Sequence, residues 1–379
     1  MKRAIIFLIL ITFLIASIGC SYEDINRVIF VITIIIDVDE HEMVHVYLEL
    51  FHAYRSNKEN SEMGQRIIMK ETGSTIGEAL DKVNKSSSQK LVYSQNKVIL
   101  FTEKAVKHGI DDFLDFLIRD QEMILRPYVA VVLDDPVTFL QTDIKQNEFI
   151  GLFLFDIFDR PLSFLVPAHQ QFFQEINRRE MGRNVTFMTA IKLNTEIFHP
   201  KITKASYAIL ENDKLAFFIE DREILMGMTF ILDTVNQGRI NIPHPNYEDK
   251  LAFVLILNSK TATSIEYDGN KIYLKKKISV KGTLDDAQGG LVLDKATVPK
   301  IEEFTKEEIK RSCLKAFNKF KDEGIDVFEI REVFNRVYPT IDIDNPLEQT
   351  ELMVEVDVFI EGSSGLTDFN SQNIKYPTF

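Results

Sequence analysis

From residue 28 onward, short β-branched runs alternate with amphipathic stretches. Val28–Ile36 (VIFVITIII) is an apolar run bounded by charge, and its branched side chains predict a buried strand. The polar turn Asp37–Glu42 follows. Met43–Leu50 then alternates, with Val44, Val46, Leu48 and Leu50 on one face and His45, Tyr47 and Glu49 on the other. That period of two predicts a half-buried strand hairpinned onto the first. Thr75-Ile-Gly-Glu78 fits a capping box, opening a helix with Ile76, Ala79, Leu80 and Val83 along one stripe. Ser86–Ser88 ends it. Strands are expected at Lys97–Thr102 and Arg126–Leu133, the second stopped by Asp134-Asp-Pro136. Between them lies a helix over Glu103–Arg119, broken near Gly109, with Phe113, Leu114, Phe116 and Leu117 facing inward.

Residues 136–200 read as helices and loops. Further strands fall near Ser206–Leu210, Leu215–Ile219, Leu251–Leu257, Lys271–Gly282 and Leu352–Ile360. Helices fall over Arg222–Val235, Pro299–Lys321 and Asp326–Val337, and His199-Pro200 and Pro243-His-Pro245 are the linker candidates. The alternation predicts a mixed α/β (α+β) protein of two to three domains, each a mixed sheet flanked by helices. The expected divisions are a signal segment over 1–19, an N-terminal region over 20–195 and a C-terminal region over 196–379. A further split is expected near 240–248.

The first twenty residues have a different pattern. Lys2 and Arg3 precede an uncharged, Ile-, Leu- and Phe-rich run, and Ala16, Ser17 and Gly19 lead to Cys20. This is the layout of a secretory signal, and a Cys after Gly19 points to a lipoprotein signal. Cys20 would then be the mature N-terminus, bearing S-diacylglycerol and an N-palmitoyl chain. Two plainer readings compete: an uncleaved spanning anchor, since the uncharged run is about long enough, and ordinary signal cleavage after a small residue. Ser17 stands where such signals usually carry Leu.

Charge narrows the partners. The 379-residue chain carries −13, and losing Lys2 and Arg3 with residues 1–19 takes it to −15. Such a body is repelled by phosphate backbones, so nucleic acid is excluded as a partner, and net charge does not hold the protein to an anionic membrane. With Cys20 acylated, Cys313 has no partner for a disulfide.

The chemistry-bearing residues form no complete site. His41 and His45, with Asp37 and Asp39 upstream, are a metal candidate, but a turn and a half-buried strand explain them without a ligand set. Asp342-Ile-Asp344-Asn-Pro346 lacks the glycine and bidentate Glu of a calcium loop. Gly362-Ser-Ser-Gly365 lacks the strand and helix that would make its serine a nucleophile. Cys313 lies on the stripe Ile309, Cys313, Ala316, Phe317 and Phe320, as a small buried side chain would. No cofactor, metal or catalytic residue is assigned.

The order of short motifs resembles the Ger(x)C family, the lipoprotein C subunits of nutrient germinant receptors of bacterial spores. Cys20 leads to Asp24-Ile25-Asn26 and an apolar strand ending in Asp, Val31–Asp37. Lys90–Ile99 matches the family's segment before a helix, which continues through Ala105, Gly109-Ile110 and Arg119-Asp120. Glu308-Ile309, Ile325-Asp-Val-Phe328 and the strand Met353–Ile360 before Gly362 match its C-terminal part. The chain departs from the family in having no Trp, Ile34 and Ile35 in place of glycines, and Gln95 in place of His. These mark a divergent member.

The resemblance implies a non-enzymatic subunit on the outer face of the spore inner membrane. It would work beside a polytopic A subunit and a transporter-like B subunit. It also implies three domains, each a sheet with helices. A substrate-binding lipoprotein of a transporter and an exported cell-wall enzyme are the alternatives from other classes.

Overall fold

The computed structural model describes residues 27–55, 62–160, 167–195, 199–235 and 237–361. Cys20 and the Gly362–Gly365 stretch lie outside them. Two sheets organise the molecule, as the mixed α+β reading expected. The larger has nine strands in the order β3-β2-β1-β5-β6-β7-β8-β9, with β4 paired to β1. These are β1 (Val28–Val38), β2 (Val44–Arg55), β3 (Glu62–Gly73), β4 (Lys90–Val92), β5 (Val98–Thr102), β6 (Tyr128–Val132), β7 (Val185–Asn194), β8 (Lys201–Glu211) and β9 (Lys214–Ile219). β1, β5, β6 and β7 run parallel, and the flanking strands antiparallel.

Helices cover both faces of this sheet. One face packs α1 (Ile76–Ser86), α2 (Glu103–His108), α3 (Asp111–Arg119) and α6 (Phe172–Glu180), while the other packs α4 (Pro136–Gln141) and α5 (Ile150–Asp159). The expected stripe Ile76, Ala79, Leu80 and Val83 is buried on α1. Thr75 caps that helix by accepting from the Glu78 amide at 3.2 Å. Glu78 reaches one residue further back than a capping box requires, to the Ser74 amide at 2.7 Å.

Covering both faces overturns one expectation. β2 is not half-exposed: Tyr47 and Glu49 are as buried as Val46 and Leu48. A second correction is β7, which falls in the stretch expected to be helix and loop. Its central residues, Met188–Ile191, are buried between neighbouring strands. Too short an apolar run marks it for its period to show.

The smaller sheet has the order β10-β11-β12-β13: β10 (Gly238–His244), β11 (Tyr247–Tyr267), β12 (Ile272–Ala287) and β13 (Thr350–Glu361). Its inner face packs α7 (Arg222–Ile231), α8 (Val298–Asp322) and α9 (Ile330–Val337), and α10 (Pro346–Gln349) leads into β13. Pro243-His-Pro245 is not a linker. It closes the β10–β11 hairpin, with His244 opposite Tyr247. Pro243 is tolerated because β10 is an edge strand, where a missing N–H breaks no ladder bond.

The larger sheet runs through residues 195/196, since Asn194 pairs with Lys201 across them. β8 serves both halves. Ala208 and Leu210 face the N-terminal core, while Tyr207 and Ile209 face the core of the smaller sheet. Cleavage between residues 194 and 204 would therefore cut a paired hairpin.

Candidate functional site

Four clusters of buried polar groups are engaged by other parts of the chain. At the first, Glu49 on β2 is fully buried and acts as a cap supplied from a distant strand. Helix α5 begins after Phe149, which offers no side-chain cap. Its first amides instead donate to Glu49, Ile150 N to Oε1 and Gly151 N to Oε2, each at 2.9 Å. Thr33 donates to the same carboxylate at 2.6 Å, and Arg66 Nε pairs with it at 2.6 Å. Arg66 also donates to the Leu140 carbonyl in α4. Orphan amides and the positive end of the helix dipole thus meet a carboxylate. Gly151 permits this approach, because a Cβ there would lie 2.3 Å from Thr33 Oγ1.

The second cluster joins α6 to the β8–β9 hairpin. Glu175, raised by burial, accepts from Thr186 Oγ1 at 2.7 Å and Arg178 Nε at 3.0 Å. Arg178 also pairs with Asp213. Asn212 and Asp213 both hold positive φ, 50° and 62°, as a tight hairpin turn of the primed type demands.

In the third, His169 Nδ1 meets Thr189 Oγ1 at 2.6 Å and its Nε2 meets Lys204 Nζ at 2.7 Å. Burial pushes the imidazole down to about 3 and the amine down to about 8. The imidazole is therefore neutral and accepts from the ammonium.

The fourth surrounds Cys313 on α8. Its thiol is buried and pushed up to about 12 by burial, so it is not a nucleophile at neutral pH. Gly227 on α7 lets the two helices touch: a Cβ there would sit 1.9 Å from Ser312 O. Nearby, Lys276 Nζ donates to the Ile231 carbonyl at the end of α7 at 2.9 Å and to Thr263 Oγ1 at 2.8 Å.

The sequence candidates divide accordingly. His45 spends both ring nitrogens, on Thr72 Oγ1 at 2.7 Å and Asp39 Oδ2 at 3.1 Å. Asp39 is held low, chiefly by the Met43 amide, and orders the turn through the His41 and Met43 N–H groups. Asp37 accepts from Thr102 at 2.5 Å. In the Asp342–Pro346 loop, Arg331 reaches the Ile343 and Asp344 carbonyls. Among the described residues, no group of three or more His, Cys, Asp or Glu is arranged to hold a metal ion. Glu49, His169 and Lys276 were missed, because each sits in a period that reads as solvent-facing or as loop.

Among the open concavities of the described residues, two are large. One, of about 660 Å³, lies where the Gly182–Val185 turn meets the loop after α8, bridged by Arg183 to Glu329 at 2.9 Å and Glu332 at 3.3 Å. The other, of about 730 Å³, lies between Thr75 on the β3–α1 turn and α3, and includes His108, Asp112 and Arg119. The first is mainly polar and the second has more apolar than polar lining, and neither assembles an acid, a base and a nucleophile. No helix among the described residues is long and apolar enough to cross a membrane.

Comparison with known proteins supplies the class. Residues 21–192 match the family model described as the spore germination protein N-terminal domain, and residues 205–364 match that described as spore germination B3/GerAC-like, C-terminal. The spore germination protein GerQC of Bacillus cereus is 21% identical over 334 residues, covering 88% of this chain and 90% of that protein. A crystal structure of the GerBC protein superposes with a TM-score of 0.56 at 14% identity, covering 86% of this chain and 96% of that one. That likeness is one of fold. With both family domains in order along its length, the chain belongs to the Ger(x)C family of spore germination proteins, the C subunits of germinant receptors.

Proposed function

We propose that this chain is the membrane-tethered, non-enzymatic C subunit of a nutrient germinant receptor. Diacylglycerol and an N-palmitoyl chain on Cys20 hold it to the outer face of the spore inner membrane, beside the integral A and B subunits. The observation that carries the tether is positional. The signal-like segment ends at Cys20, and the N-terminal family model begins at residue 21. One acyl chain anchors weakly and two or more anchor stably, so acylated Cys20 suffices for a body of charge −15. Tethering raises the local concentration of the subunit beside its partners, which is what an accessory subunit needs from a lipid. The non-enzymatic reading draws support from the buried Glu49 and Lys276, which are engaged in seating helices.

The test is Cys20→Ala. The variant should leave the membrane fraction or accumulate as precursor, and spores carrying it should respond poorly to their nutrient. Mass spectrometry of the wild-type N-terminus should find acylated Cys20. Wild type that retains residues 1–19, or carries no lipid, overturns the proposal.

A further inference from the structure

Exposed charges differ between the two ends of β1 and β6. At the carboxyl ends of β1 and β6 sit Asp39, Glu40, Glu42, Asp134 and Asp135. At the amino ends of β1, β4 and β6 there are cations instead. Arg27 precedes β1, Lys90 opens β4 directly beside it (Val28 pairs with Lys90), and Arg126 precedes β6. All three are exposed, and among the described residues neither Arg27 nor Arg126 makes an ion pair. The same end exposes two large apolar side chains, Leu125 (48%) and Phe173 (38%). They are neighbours, because the Phe173 amide donates to the Leu125 carbonyl at 3.1 Å. Asp120 and Glu122 share the loop into β6, so contact with an anionic surface has to come from its Arg126 side.

A tether at Cys20 limits how far Arg27 lies from the bilayer. Arg27 is seven positions after Cys20, a separation that at full extension spans at most about 25 Å. Arg27 is therefore never far from an acylated Cys20; β4 and β5 both lie beside β1, and β6 lies one strand further out, at spacings of about 4.8 Å. The basic, apolar-tipped end is the one held to the membrane, and the acidic end is the one held away.

We propose that the amino-end edge of the larger sheet, through Arg27, Lys90, Leu125, Arg126 and Phe173, docks on the bilayer surface and takes anionic phospholipid headgroups. This rests on the tether at Cys20 and adds an orientation to it. Leu125 and Phe173 enter the headgroup boundary, the cations meet phosphate, and the acidic pole points toward the partner subunits. A net charge of −15 hides this, since surface potential follows distribution rather than total.

The experiment uses the acylated mature chain on vesicles of phosphatidylcholine, with and without phosphatidylglycerol. A polarity-sensitive fluorophore is placed at Leu125→Cys or, as control, at Glu40→Cys; Cys313 is buried and does not compete for label. The Leu125→Cys label should shift to the blue and lose access to an aqueous quencher on anionic vesicles, while the Glu40→Cys label should not change. Adding Arg27→Gln and Arg126→Gln should remove the shift without releasing the protein. A Leu125→Cys label that stays aqueous on vesicles holding the acylated protein overturns the docking face and leaves the tether standing. Acylated protein that stays off vesicles of both compositions overturns both.

Discussion

Helices α5 and α7 are seated on their sheets by the same physics with opposite signs. At the N-terminus of α5 a strand supplies a carboxylate, Glu49, to the free amides. At the C-terminus of α7 a strand supplies an ammonium, Lys276, to a free carbonyl. Each charge complements the partial charge of the helix end it meets. Each junction also contains a glycine, Gly151 or Gly227, at which a Cβ would collide with the opposing element.

The two seats differ in how completely the charge is satisfied. Glu49 accepts from Thr33, Arg66 and two amides. Lys276 makes two hydrogen bonds, to a carbonyl and a hydroxyl, and burial pushes its ammonium down to about 8. The saturated carboxylate fixes α5 by polar bonds. The undersatisfied lysine leaves α7 to be held mainly by apolar packing against α8, with Cys313, Ala316 and Phe317 in the seam.

Removing the carboxylate should therefore have the largest effect. Glu49→Ala strands the Arg66 guanidinium and two helix amides, and should cost about 3–5 kcal/mol in urea denaturation. A loss below about 1 kcal/mol would mean that α5 is held by Phe153 and Leu154 rather than by the cap.

Next comes the apolar seam. Gly227→Ala forces α7 away from Ser312 and should cost about 1–3 kcal/mol. The cost should appear in the transition of the smaller-sheet core, followed by a probe placed there. If the variant is as stable as wild type, the close helix contact is not what seats α7.

The smallest effect is a pH dependence. The folded Lys276 ammonium sits at about 8, whereas an unfolded lysine titrates near 10.4. Between those values the unfolded chain binds more protons, so this group's contribution to stability is complete above the upper value. It is lost as pH falls through the window. The gain on raising pH from 8 to 10 should therefore be smaller in Lys276→Met, by at most about 1.4 kcal/mol per pH unit. Equal slopes would show that Lys276 is solvated in the folded protein.

How much of this was legible depends on range. The α8 stripe around Cys313 could be read because its helix repeats over seven turns and one face is dry. The α1 stripe could be read for the same reason. β7 could not, because its central run Met188–Ile191 carries too little period to separate strand from helix. Glu49 was assigned to the outer face of β2 on its alternation with Leu48 and Leu50. Alternation reports which face a residue shares, and whether a helix covers that face is settled by residues a hundred positions later. The family resemblance was legible because it rests on the order of short motifs, which survives at 21% identity.

The sequence alone determined the elements with strong local period, the signal-like segment ending at Cys20, the acidic net charge and the family. Each is a sum or a pattern over neighbouring residues. Tertiary structure decided that β8 belongs to both cores, that Glu49 and Lys276 become helix caps, and that the basic side chains at Arg27, Lys90 and Arg126 share one end of a sheet. Those facts depend on contacts between distant segments, whose energies are set by burial and pairing, and no local pattern encodes the partner.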